Sequence, residues 1–478
     1  MLNPSVAQAV IDRGLFLGAD FVDLFVENQK ITEVELLSSK IEKINSGIDF
    51  GVGLRMVVGR RVLYGYTNHT EQDELLRVIS LIAAQLKADG VERTTSFVKQ
   101  DLANRHPAKH PLSTGSNIDA KVEFLKKMDG AARGEHNFVQ QFIGRVLQRE
   151  QQVEIFNSDG LHAQDVRHYC RISATAVAED GGEQASGYVA PGALQGWEFN
   201  TNHDATDLAQ QAAKQALVKL HAADCPSGEM PVVIGNGFGG VIFHEACGHL
   251  LETTSVEKKA SVFHDKMGEM IANPVVSAVD DGLLENAWGS INIDDEGMPT
   301  KRTQLIKDGK LTSFMVDRVG AMKTGFEATG SGRRQSYKFA PASRMRNTFI
   351  EAGDSNLDEM LASVDRGIYA KKMGGGSVQP GTGEFNFNVQ EGYLIENGKI
   401  AGPLKSATLI STGPKVLKEI SMVGSDLELA AGMCGSVSSS SWNGSARKKR
   451  TLFQKCATSE LGKILNLSAA DAALKVAL

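Results

Sequence analysis

The tightest constraint in this chain is a spacing: His244 and His249 lie five residues apart, with Glu245 beside the first histidine and Gly248 just before the second. A run rich in glycine, Gly235-Asn-Gly-Phe-Gly-Gly240, leads into the segment, and Leu250-Leu-Glu252 follows it. The pattern reads as a helix entered from a tight turn. In the familiar metal-hydrolase arrangement H-E-x-x-H the histidines stand four apart, so a turn of about 3.6 residues projects them from one face. A separation of five rotates the second ring by about 140°, and a regular helix could not aim both imidazoles at one ion. The spacing therefore predicts a local widening or an early helix break at Gly248, where the missing side chain relaxes the backbone. With that break, His244 and His249 converge on one ion and Glu245 lies near its water as general base.

Two other readings of these residues compete. A His-Glu pair is often no more than a solvated helix face with one core histidine, but three residues of these types cluster here in a chain with 11 histidines. Gly235-Asn-Gly237-Phe-Gly-Gly240 also spells G-x-G-x-x-G between a plausible strand, Met230–Ile234, and a helix. Downstream, however, no strand ends in a ribose-binding acid and no alternating run of strands and helices follows, so nucleotide binding is disfavoured.

At 478 residues the chain is too long for one core and divides into two or three domains. Its 42% hydrophobic and 23% charged residues are ordinary for a globular protein, and a net charge of −6 argues against a nucleic-acid partner. No apolar run approaches the roughly 18 residues of a membrane span, and the N-terminus lacks the basic and apolar regions of a signal peptide. Five scattered cysteines suit a reducing compartment, so the cytoplasm is expected. Asn3 and Pro4 signal a helix start. Alternating runs at 21–26, 32–36, 51–58 and 62–66 predict an antiparallel sheet, and a helix is expected near 73–86. After a polar linker at 93–116, helices are predicted at 119–132 and 204–223, with strands at 138–156 and 171–177. Short strands then dominate, including 305–306, 311–316, 385–389, 393–395 and 407–410. The fold class is α+β, with expected domains at 1–105, 106–225 and 226–478. The pairs Asp280-Asp281 and Asp294-Asp295 read as turn and cap residues, Arg333-Arg334 as a surface pair, Gly374–Gly376 as a turn, and Arg447–Arg450 as a solvated charge run.

His244-Glu-Ala-Cys-Gly-His249 does not stand alone. Ser261-Val-Phe, Met267-Gly-Glu, Val279-Asp-Asp-Gly282, Asp294-Asp-Glu-Gly297, Gly330-Ser-Gly-Arg-Arg-Gln-Ser-Tyr337, Glu391-Gly-Tyr-Leu-Ile-Glu-Asn-Gly398 and Ile420-Ser-Met-Val-Gly424 occur in order. Together they resemble the TldD/PmbA family of zinc metalloproteases, in its TldD branch. The resemblance implies N-terminal α/β modules and a strand-rich C-terminal domain carrying the metal. It also implies that Zn2+ is held by His244, His249 and, from Gly432-Met-Cys-Gly435, Cys434, with Glu245 catalytic. Two imidazoles and a thiolate leave a fourth position open, as in a catalytic zinc site. The other cysteines read as buried apolar side chains, and His264 is not expected to be a ligand.

The implied substrates are unfolded peptides or peptide tails, bound as an added strand. The implied partner is a related subunit lacking the metal motif, in a heterodimer, with self-association as the other possibility. The chain departs from the family pattern after Gly435, where Ser436–Arg450, including the serine run Ser438–Ser441, and helix-like residues to Leu478 replace a glycine- and proline-rich run and a final strand. That departure supports a second expectation, a non-catalytic binding or scaffold subunit that keeps the fold without turnover.

Overall fold

The computed structural model describes residues 1–84, 86, 90–432 and 434, together with the backbone of short strands at 435–437, 451–454, 466–467 and 474–477. In chain order the first part runs α1 (Pro4–Phe16), β1 (Phe21–Leu37), β2 (Lys40–Val58), β3 (Arg61–Thr67), α2 (Gln72–Ala83), β4 (Val98–Lys99), α3 (Ile118–Glu135), β5 (Val139–Asn157), β6 (Leu161–Asp180), β7 (Glu183–Val189), β8 (Gly192–Ala193) and α4 (Ala205–Leu220). α1 begins as expected: the Asn3 side chain accepts the Ser5 backbone N–H at 3.0 Å, and Pro4 stands where no hydrogen-bonded N–H is needed.

These strands form one sheet in the order β3-β2-β1-β5-β6-β4, with β7 and β8 also paired to β6, so strands from both sides of residue 105 share a single ladder. Successive side chains of a strand point to opposite faces. Along β1, Val22, Leu24 and Val26 pack with α1 and α2, while Val34 and Leu36, of the same parity, pack with α3 and α4. All four helices therefore cover one face. The opposite parity, Asp23, Phe25 and Glu27, meets the C-terminal part of the chain. This explains why Phe21–Glu27 is buried without interruption where an alternating pattern was expected: both faces of that half-strand are covered.

The C-terminal part continues with β9 (Gly228–Met230), β10 (Val232–Ile234), α5 (Val241–Ala246), α6 (Thr253–Val256), β11 (Ala278–Asp281), β12 (Arg302–Lys307), β13 (Lys310–Leu311), α7 (Arg318–Thr324), β14 (Gly332–Arg333), β15 (Ala342–Ser343) and β16 (Asn347–Ile350). It then runs through α8 (Leu357–Ala362), β17 (Arg366–Gln379), β18 (Glu384–Glu396), β19 (Lys399–Leu404), β20 (Ala407–Thr412), α9 (Gly413–Glu419), β21 (Ile420–Met422) and β22 (Cys434–Val437). β10, β17, β18 and β20 are consecutive neighbours in one large sheet, and β13-β12-β11-β16 form a smaller one. The largest core joins these strands to α5 and α9. The fold is thus α+β, with helix-covered N-terminal modules and a strand-rich C-terminal region.

Three local expectations change. Of 311–316 only Leu311 lies in a strand, and Met315 makes an isolated bridge to Glu252. Gly374–Gly376 lie within β17, where the register to β18 shifts; a side chain on Gly376 would meet the Asn386 carbonyl at 2.0 Å, so its glycine permits a close strand approach. In the helix-like tail, the described segments at 451–454, 466–467 and 474–477 are strands, while Ser438–Ser441 and Arg447–Arg450 lie outside the described residues.

The two parts of the chain meet along a buried seam of charge. Arg55 donates to Asp23 at 3.0 Å and to Glu296 at 2.7 Å, and Arg334 donates to the other oxygen of Asp23 at 3.2 Å. Arg167 reaches Asp295 at 2.6 Å and the Ile293 carbonyl at 2.8 Å. Burial works against the charges of Asp23, Arg55, Arg167 and Asp295, but their opposing partners outweigh it: the two carboxylates are held below the ordinary carboxylate value and the two arginines above the ordinary guanidinium value. Such pairs are costly to break, because the surviving partner is left charged and dry. Arg55→Met is therefore expected to lower stability by about 3–5 kcal/mol in chemical denaturation. Lys338→Met, on a half-exposed pair with Asp49, should cost at most about 1 kcal/mol. Equal midpoints for the two variants would contradict this account of the seam.

Candidate metal centre

β10 is buried at all three residues and pairs in parallel with β17. It delivers the chain to the glycine run, where a side chain on Gly235 would strike the Lys371 carbonyl at 2.4 Å and Gly237 adopts φ +71°. A short 3-10 turn at Gly237–Gly240 then opens α5, which carries His244 and Glu245. The helix stops at once: Cys247 has φ −132° and ψ −51°, and a 3-10 turn from Gly248 to Leu251 carries His249. The predicted break is present, one residue earlier than expected. Gly248 is not in a left-handed conformation; a side chain there would lie 2.2 Å from the Met345 sulfur, so close packing is what requires glycine.

The break sets the two imidazoles at right angles, with ring centroids 4.8 Å apart and an interplanar angle of 89°. Cys434, at the start of β22, brings its sulfur to 3.0 Å from His249 Nε2. Glu245 places a carboxylate oxygen 3.6 Å from the same nitrogen. One candidate ligand atom from each of His244, Glu245, His249 and Cys434 lies within 4.8 Å of all the others.

A second tier of groups surrounds these four. Glu252 lies 3.3 Å from His249 Nδ1, and Arg344 spans Glu252 at 3.1 Å and the Cys434 sulfur at 3.2 Å. Arg344 Nη1 also faces Nδ1, at 3.4 Å, and a carboxylate that takes the Nδ1 proton leaves Nε2 available as a ligand. Burial drives His244 well below its ordinary pKa, and His249 and Arg344 add to the effect, so its imidazole is neutral. For His249 burial also opposes charge, but Glu252 and Glu245 outweigh it and raise its pKa.

The residues fit a divalent metal. His244 is about 1% exposed, and neither ring nitrogen has a hydrogen-bond partner among the described residues. Buried polar atoms are rarely left so, and a neutral imidazole facing a second imidazole and a sulfur is satisfied by coordination. Two imidazoles and a thiolate are a donor set suited to zinc.

Other sequence expectations resolve as follows. Cys247 lies in the apolar core, where burial drives its thiol far up, and Cys170 and Cys225 are buried too; Cys456 lies outside the described residues. His264 contacts the Ser261 carbonyl at 2.9 Å, away from the cluster. Arg333-Arg334 is not a surface pair: both side chains are buried, because Asp23 and Asp295 draw them into the seam. Asp294 does serve as a turn acceptor for the N–H groups of Glu296, Met298 and Gly332, whereas Asp280 is fully buried against Arg346. Sequence reasoning missed two residues of the centre. Glu252, three residues after His249 and thus on the same side of a turn, carried a readable signal; Arg344 carried none.

The chain matches three consecutive parts of the PmbA/TldA metallopeptidase family: domain 1 at residues 22–85, the central domain at 113–220 and the C-terminal domain at 227–447. It is 38% identical to the metalloprotease TldD homolog of Haemophilus influenzae, over 87% of this chain and 88% of that protein. It is 25% identical to the zinc metalloprotease TldD homolog of Saccharolobus solfataricus, over 87% of this chain and 92% of that one. Its fold is similar to the crystal structure of TldE from Thermococcus kodakarensis, with a TM-score of 0.74 and 19% identity over 99% of this chain and 100% of that chain.

Replacing Glu252 with Gln removes the carboxylate on His249 Nδ1. The expected result is metal affinity reduced by about 10–100-fold in a competition titration with a chelator. Unchanged affinity would show that Glu252 does not orient the ring.

Proposed function

This chain belongs to the PmbA/TldD metallopeptidase family, and on that premise we propose that it is a zinc-dependent peptidase whose centre is built by His244, His249, Cys434 and Glu245. The observation that carries the reading is the convergence of these four side chains, from segments nearly two hundred residues apart in sequence, around a buried imidazole with no hydrogen-bond partner among the described residues. The donor set supports zinc, and so does the relative named as a zinc metalloprotease.

In this reading His244, His249 and Cys434 hold the ion. When bound there, zinc would supply a Lewis acid for the scissile carbonyl and a coordinated water with its pKa lowered to about 7. Glu245, on the helix turn of the first ligand, takes the proton from water and delivers it to the leaving amine. Glu252 holds the His249 ring in its productive tautomer, and Arg344 sets positive charge against the Cys434 sulfur while anchoring Glu252.

The substrates proposed are unfolded peptides or exposed tails laid along a sheet edge as an added strand. The partner proposed is a related subunit without the metal motif, in a heterodimer, or failing that a second copy of this chain. No helix among the described residues is long and apolar enough to cross a membrane. On the separate ground of five scattered cysteines, which suit a reducing compartment, we propose that the protein works in the cytoplasm.

Glu245→Gln tests this directly. Peptide cleavage by the zinc-loaded protein, alone and with partner, should fall by about 10²–10⁴-fold, while the zinc content stays that of the wild type. Wild-type protein that cleaves no unfolded peptide under any metal load would instead support the scaffold reading.

A further inference from the structure

A cavity of about 370 Å3 lies on the seam between the first sheet and the turn joining β14 to β15. None of His244, Glu245, His249 or Cys434 lines it. Five cations do: Arg149, Arg167, Arg333, Arg334 and Lys338. Three of them are engaged. Arg167 is held by Asp165 and Asp295, Arg334 by Asp23 and by the carbonyls of Asp295 and Phe339, and Lys338 by Asp49.

The other two are not fully engaged. The Arg333 side chain is 8% exposed, and its Nε and Nη1 have no hydrogen-bond partner among the described residues. Its nearest carboxylate, Asp295, is 3.7 Å away and already takes hydrogen bonds from Arg167 and from the Arg334 N–H. Arg149 approaches Glu27 only to 3.5 Å, and its Nε has no partner either. The side-chain amide oxygen of Gln335, on the same wall, likewise has no donor among the described residues. Burial pulls Arg149 below the ordinary guanidinium value despite Glu27, which marks its charge as undercompensated.

Buried guanidinium N–H groups without acceptors are rare, and an opening beside them is where an acceptor belongs. We infer that this cavity is a carboxylate-binding site, separate from the metal centre, that takes the terminal carboxylate of a short peptide or a small free carboxylic acid. The planar forks of Arg333 and Arg149 match a carboxylate's two oxygens, and Gln335 is placed to accept an N–H from the group that bears it. A single negative charge suits the site better than a phosphate dianion. Glu27 already offsets part of the cationic excess, and the carboxylates of Asp49 and Asp295 line the same walls. The volume is near the lower end of small-molecule pockets, enough for an end residue rather than a long segment.

The test is direct binding to the full chain, by calorimetry and thermal shift, with and without chelator, so hydrolysis plays no part. Tri-alanine with a free C-terminus should bind at least tenfold more tightly than tri-alanine amide. Arg333→Gln should weaken that binding at least tenfold while lowering the melting temperature of the unliganded protein far less than Arg55→Met does, since its one ion pair, to Asp295, is long and two of its guanidinium nitrogens have no hydrogen-bond partner among the described residues. Arg333→Lys keeps the charge and loses the fork; it should show the same weakening, and it is the variant to read if the glutamine form does not fold. Acetate binding as tightly as tri-alanine identifies a free acid as sufficient; acetate failing where tri-alanine binds identifies the peptide end. Equal binding of the acid and the amide, preference for inorganic phosphate, no binding at millimolar concentration, or unchanged binding by the Arg333 variants would each overturn the inference.

Discussion

Two imidazoles five residues apart can face the same point only if the helix widens or stops between them; here it stops, and the centre of this protein depends on that stop. α5 is six residues long and ends at Cys247 before a second regular turn could carry His249 to the far side. The chain tightens into a 3-10 turn, and the rings meet at a right angle 4.8 Å apart. The geometry is enforced from outside the motif. Met345 packs where a side chain on residue 248 would stand, and the start of α9 closes on the end of α5 so tightly that a side chain on Gly413 would strike the Ala246 carbonyl at 1.9 Å. A different residue at either glycine would have to move the backbone that aims the ligands.

The third donor lies 185 residues beyond His249, so its position depends on tertiary contacts rather than on local geometry. Trp288 donates to the Gly432 carbonyl at 3.0 Å and packs edge-on against Tyr169 of the first sheet at 5.4 Å. Arg344 reaches the Cys434 sulfur from the strand-to-strand link between β15 and β16. The buried charge seam holds that first sheet against the C-terminal strands, tying the N-terminal modules to the centre without contributing a ligand. Stability and site are coupled through it.

Much of this was legible in the residues. Asn3 and Pro4 marked the first helix because capping is local chemistry, and the histidine spacing implied a widening or a break because a regular helix cannot converge two rings five residues apart. The resemblance supplied Cys434, which no periodicity could have singled out. What stayed hidden was long-range. The unbroken burial of Phe21–Glu27 depends on what covers the second face of the sheet, which a strand does not encode in its own alternation. Arg333-Arg334 looks like a surface pair because adjacent charges usually are one, and it is a distant partner, Asp23 some three hundred residues earlier, that supplies the opposite charge drawing Arg334 inward. Arg344 has no local pattern at all, since its role is defined by where Glu252 and Cys434 meet.

The central claim is that His244, His249 and Cys434 share one ion. X-ray absorption at the zinc edge of the purified, zinc-loaded protein examines that coordination without reference to any substrate. The account predicts one zinc per chain with two imidazole nitrogens and one sulfur among its neighbours, and loss of the sulfur neighbour alone in Cys434→Ser. A zinc with no sulfur neighbour in the unaltered protein, or a spectrum unchanged by that substitution, would contradict it.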